Sequence, residues 1–151
     1  MASPSQSKVC FFIDGIKFPF RNRKALKAAI EKIFHQERKK LASLNYIFCS
    51  DKKLLKINQD YLSHDYYTDI ISFDLSNPGD GSVSGEIYIS IDRVRENAKM
   101  QQTSFPIELH RVMFHGALHL CGYRDKTKAE TKLMRAKENK YLAVFDVSRE
   151  T

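Results

Sequence analysis

The chain has 151 residues, 42% hydrophobic and 28% charged, which fits one globular domain with its own core and excludes a disordered or low-complexity protein. No run approaches the roughly 18 apolar residues of a membrane span, and the start MASPSQSKVC lacks the basic and apolar regions of a secretory signal. A net charge of +7 points to a polyanionic partner, nucleic acid first, while three cysteines in apolar stretches (Cys10, Cys49, Cys121) predict reduced thiols in a cytoplasmic protein.

Residues 1–7 are small and polar and read as a tail. A single domain is expected over 8–146, with a short C-terminal tail over 147–151. The run KVCFFIDG (8–15) is rich in strand formers and ends on the turn signal Asp-Gly. A helix follows over 21–40, where Leu26, Ile30, Ile33 and Phe34 recur at three- and four-residue steps before a basic end that suits the helix dipole. LNYIFCS (44–50) reads as a strand. Ser50 and Asp51 then open a helix carrying Leu54, Leu55, Ile57 and Tyr61. After a turn at 63–65 comes the strand TDIISFDL (68–75). NPGDGSVSG (77–85) is a loop of turn residues leading into the alternating strand GEIYISI (85–91).

A helical pattern runs from Asp92 to about Gln102. Pro106 starts another helix that Gly122 stops, and a last helix over 126–145 carries Leu133, Met134, Tyr141 and Leu142 inward and many lysines outward. The order βαβαββααα predicts an α+β fold, a small mixed sheet of about four strands packed with helices.

The stretch HGALHLCGYRD (115–125) carries the chemistry. Residues i and i+4 of a helix share a face, so His115 and His119 can reach one ion. Gly122 permits a reversal that returns Asp125 toward the same face. Two imidazoles and a carboxylate leave a fourth position for water, the arrangement of a catalytic and not a closed structural site, and zinc is the default ion for such donors. The plainer reading is that both histidines only pack. The apolar neighbours Val112, Phe114, Leu118 and Leu120 make that costly, because buried imidazoles need a partner. A zinc protease has a Glu after the first His. Gly116 stands there, which removes that base and is expected to open space over the ion for a bulky substrate.

HGALHLCGYRD resembles the signature HGxLHLxGYDH of the YbeY family of bacterial endoribonucleases, which act in ribosomal RNA maturation. TDIISF (68–73) is similar to the family's TDVLSF strand and GEIYIS (85–90) to its GDIxIS strand. Asn58 and Tyr61 also fit, so the likeness spans about residues 45–141. It implies a metal-dependent, single-strand-specific endoribonuclease that processes small-subunit ribosomal RNA at its 3′ end, works with the ribosome, and holds one Zn²⁺ through His115, His119 and Asp125. Asp125 stands where the family has a third His, and Leu62 stands where it has an Arg assigned to RNA handling or catalysis. His64, two residues on, is the candidate replacement.

Candidates for a general base are His64, Asp69, His110 and Glu86. His110 falls about 140° round the helix from His115 and reads as a surface histidine facing away from the ion, while Asp69 is better placed to cap a turn and Glu86 to face solvent. Lys126, Lys128, Lys132, Arg135 and Lys137 follow directly on the ligands and could hold phosphates, against the plainer reading of a solvated helix face. Tyr66, Tyr67 and Tyr123 could stack on bases, but read more simply as packing residues. Two alternatives stand beside the nuclease: a ribosome-assembly or RNA-binding factor with a structural metal, motivated by Leu62, and a metal-dependent hydrolase of some non-RNA ester.

Overall fold

The computed structural model describes residues 7–150, with side chains described through residue 146. The expected N-terminal tail, apart from Ser7, and Thr151 of the expected C-terminal tail lie outside the described residues. The elements are β1 (Val9–Ile13), α1 (Arg23–Gln36), β2 (Lys40–Cys49), α2 (Asp51–Leu62), β3 (Ile70–Asp74), β4 (Ser82–Ser90), α3 (Ile91–Met100), α4 (Phe105–Leu120) and α5 (Lys128–Glu150), the order the sequence predicts.

The strands form one mixed sheet in the order β1-β2-β4-β3. β2 pairs in parallel with both β1 and β4, and β3 closes the far side antiparallel to β4. β3 is therefore an edge. Just outside it, the Asp69 carbonyl accepts from the Ser90 N–H at 2.9 Å and the Leu75 N–H donates to Ser84 at 2.8 Å, so odd-numbered residues bond inward to β4. The main chains of Ile70 and Ser72 alternate with these and turn outward.

Period-two alternation sorts the sheet's two faces. Ile87 and Ile89 of β4 join the main core with Leu26, Ile30 and Phe34 of α1 and Met113, Phe114 and Ala117 of α4. Tyr88, between them in sequence, packs on the other side with Cys49, Leu54 and Ile71 beneath α2. Each apolar side chain sunk fully in this way contributes roughly 1.5–3 kcal/mol of transfer free energy. α4 lies at the centre and is buried on most sides.

Several boundaries differ from the sequence reading. β2 starts at Lys40 and not at residue 44, because α1 ends at Gln36 and the chain reverses through Arg38 at φ 59, with the Lys39 N–H bonding the Phe34 carbonyl at 2.8 Å. No glycine marks that reversal, so its basic residues look like a helix end. β4 begins at Ser82, inside the stretch expected to be loop, since Ser82 to Ser84 continue the ladder with β2 across a bulge. α5 runs on to Glu150, through most of the stretch assigned to the C-terminal tail. Leu133, expected to face inward, is 50% exposed, and Tyr61 on α2 is 74% exposed.

Candidate metal centre

Ser104 opens α4, its side chain accepting from the Ile107 N–H at 3.3 Å, and Pro106 sits in the first turn where no N–H is required. Glu108, Arg111, His115 and His119 form the helix's one polar stripe, at steps of three and four residues, and all line a single cleft of about 570 Å³. Past Leu120 the Tyr123 N–H bonds the Leu118 carbonyl at 3.1 Å around Gly122, whose φ of 108° is open to glycine and strained for other residues. That reversal sets Asp125 over the histidines. Its Oδ2 lies 3.3 Å from His115 Nε2 and its Oδ1 3.6 Å from His119 Nε2. One donor atom from each residue falls within 4.8 Å of the others, so two imidazole nitrogens and a carboxylate oxygen fit one divalent ion.

The other nitrogen of His115 is also engaged. Its Nδ1–H donates to Glu138 Oε2 at 2.7 Å, which fixes the ring and leaves Nε2 aimed at Asp125. Arg111 donates to the second Glu138 oxygen at 3.1 Å, and Arg135 lies 3.5 Å from the same atom. Burial alone would lower the His115 pKa, but the hydrogen bond and charge of Glu138, joined by Asp125 and Asp69, hold it above its ordinary value. For Glu138 burial works upward, and His115 with Arg111 outweighs it and holds the carboxyl low. This carboxylate in the lysine-rich last helix carries no signal in the sequence. Arg111, Asn97, Gln101 and Glu108, which also line the cleft, were equally unmarked.

Asp69 lines the cleft, and burial raises its pKa despite the pull of His115, so it is a cleft acid and not the simple turn cap expected of it. His64 stacks on Tyr66 with ring centroids 5.1 Å apart and approaches the cleft through that ring. His110 is buried, with its ring edge-on to Phe145 at 5.1 Å; the expected surface histidine is a core one, though it does turn from the ligands. Glu86 is half-buried and accepts from Tyr88 Oη at 3.4 Å, on the opposite face of the sheet from α4. Lys126, Lys128, Lys132 and Arg135 share a second groove along α5, and Arg135 belongs to both grooves. Lys137 faces elsewhere, pairing with Glu37 at 3.5 Å and lying over the Tyr123 ring.

Tyr123 donates to Glu37 at 2.6 Å and serves packing, and Tyr67 lies beneath Arg93. Tyr66 is 55% exposed on the cleft wall. Leu62 ends α2 at the surface. Gly116 overturns its expectation. A Cβ there would fall 2.8 Å from Ile87 Cδ1 and 3.0 Å from Ile70 Cδ1, so this position faces the sheet and makes no room over the ion.

The family model described as endoribonuclease YbeY matches residues 14–146. The chain belongs to that family. It is 46% identical over 139 residues to an endoribonuclease YbeY of Cytophaga hutchinsonii, covering 92% of this chain and 96% of that one. To an endoribonuclease YbeY of Christiangramia forsetii it is 50% identical over 120 residues, 80% of this chain and 82% of the relative. Among solved structures it resembles the solution structure of TM1509 from Thermotoga maritima, at a TM-score of 0.65 and 28% identity over 94% of this chain and 91% of the other.

Proposed function

We propose that this chain is a metal-dependent endoribonuclease that cuts single-stranded segments of ribosomal precursor RNA, at the 3′ end of the small-subunit RNA, in the bacterial cytoplasm and in association with the ribosome. The observation that carries this reading is the junction of two grooves: the one holding the His115, His119 and Asp125 donors runs, through Arg135, into the one lined by Lys126, Lys128 and Lys132. A phosphodiester backbone needs both an electrophilic centre and a cationic track, and the two are contiguous here. Among the described residues no helix is long and apolar enough to cross a membrane, and all three cysteines are free thiols, in keeping with that location.

Zinc suits the donor set, with His115, His119 and Asp125 as its ligands. When bound, such an ion lowers the pKa of water and polarises a phosphoryl oxygen. Glu138 holds the His115 ring so that Nε2 faces inward, and Arg111 and Arg135 hold Glu138 in turn. Arg135, half-exposed where the grooves meet, is placed to meet a phosphate. Asp69, the cleft carboxyl whose pKa is raised by burial, is the best-placed group to carry a proton during the reaction. Tyr66 offers a ring face on the cleft wall to an unpaired base, with His64 stacked behind it in support.

The test is elemental analysis of the purified protein and of Asp125→Ala, with both assayed on single-stranded RNA with and without chelator. About one zinc per chain, lost in the variant together with cleavage, is the expected result. Metal-bearing protein that binds RNA in a salt-sensitive way yet leaves every RNA intact would replace the nuclease by an assembly factor.

A further inference from the structure

Away from the ligand pole, the cleft ends in groups that the proposed chemistry leaves unused. Glu108 is 3% exposed, and among the described residues its Oε1 is the one buried side-chain nitrogen or oxygen without a hydrogen-bond partner. It lines the same cleft as His115, seven residues earlier on the stripe of α4, which at 1.5 Å per residue places it about 10 Å away along the axis. Asn97 and Gln101 of α3 line the same cleft, and the Asn97 amide donates to Asp69 Oδ2 at 3.4 Å. A buried acceptor with no donor is costly, and a substrate that brings the donor removes the cost.

The chemistry of this end excludes a phosphate. The buried Glu108 carboxyl repels one, and the cleft's own cations, Arg111 and Arg135, are turned to Glu138 beside His115. A neutral group bearing N–H donors is what such walls accept, and the part of a nucleotide that reaches deepest from its phosphate is the base edge. Uracil shows a lone N–H between two carbonyl oxygens, which a carboxyl repels. Adenine, cytosine and guanine each carry an exocyclic amine. Either protonation state of Glu108 leaves Oε1 a lone pair to offer, and the amides of Asn97 and Gln101 can meet the remaining donors and acceptors of the base.

We infer that Glu108 is a specificity-determining residue whose Oε1 accepts from the exocyclic amine of a base, at the nucleotide beside the one whose phosphate meets His115, His119 and Asp125. This rests on the endoribonuclease reading above. Its test uses the zinc-loaded protein and oligouridylates that carry one adenosine at successive positions, with cleavage rates measured and binding followed by anisotropy before turnover.

At one position beside the cut, adenosine is expected to be favoured over uridine by about tenfold. Purine riboside, which lacks the amine, placed there should remove the preference, 2′-deoxyadenosine should retain it, and Glu108→Leu, which has no acceptor, should reduce it to less than about threefold. No positional preference, or one that survives loss of the amine or follows the 2′-hydroxyl instead, overturns the inference. Should Glu108→Leu fail to fold, the purine riboside comparison decides alone. A preference seen in binding with no cleavage of any oligonucleotide supports this subsite and refutes the nuclease, while equal cleavage of all of them does the reverse.

Discussion

Glu138 shows how much of the site depends on one carboxylate that binds nothing itself. It receives the His115 Nδ1–H at 2.7 Å and the Arg111 guanidinium at 3.1 Å while nearly buried. Glu138→Gln is expected to weaken zinc binding about 10–100-fold, measured by competition with a chromophoric chelator. The same pair fixes a pH window in the metal-free protein. The pKa of His115 is raised above 6.5 by Glu138, so its contribution is full below pH 6.5 and fades as the pH climbs through the folded value. The pKa of Glu138 is depressed below 4.5, so its contribution is full above pH 4.5 and fades as the pH falls through the folded value. The melting-temperature gap between chelator-treated wild type and Glu138→Gln should therefore be widest between about pH 4.5 and 6.5. A flat gap across pH 4–9 would contradict the pairing. At the same scale, Gly116→Ala should lose about 1 kcal/mol despite its better helix propensity, and Gly116→Glu more than about 3 kcal/mol, since the side chain would enter the packed sheet at Ile87 and Ile70. Chemical denaturation of both variants reads this directly. The two histidines were legible because their spacing puts them on one helix face, and Asp125 because Gly122 announces the reversal that returns it. Glu138 was not, since it reaches the cleft through packing that no local pattern encodes, and Glu108, though at helical spacing from His115, carries no motif that marks it.

Among the elements, α4 matters most, because it carries Glu108, Arg111, His115, Gly116 and His119 and is held by a short capping arrangement at either end. Ser104→Ala should remove about 1 kcal/mol, seen as a lower thermal midpoint, with zinc stoichiometry unchanged since His115 and His119 stand three to four turns away. The existence and order of the elements could be read from periodicity: Leu26, Ile30 and Ile33 fall every three or four residues, and all are buried. The boundaries that escaped have physical causes. Arg38 adopts a left-handed turn without the glycine that normally announces one, and Ser82 and Ser84 enter a strand through pairing with β2, which local propensity does not favour. Leu133 stands one residue before the buried Met134, about 100° round α5, and that turn leaves it 50% exposed.

Over the whole molecule, the net charge of +7 resolves into a directed feature, the groove of Lys126, Lys128 and Lys132 that meets the cleft at Arg135. Lys128→Ala and Lys132→Ala should each lower the slope of log affinity for single-stranded RNA against log salt by about 1, with little dependence on RNA sequence. Lys137→Ala should leave that slope unchanged, since its charge is committed to Glu37. The overall charge told of a polyanion, but only tertiary structure separates these lysines from Lys137. The edge position of β3 has a further consequence. Ile70 and Ser72 line the cleft and turn their main-chain groups outward, so part of the wall is made of peptide and not of side chains. A wall of that kind survives almost any exchange of residue, and only proline, by deleting an amide hydrogen, can take a donor from it.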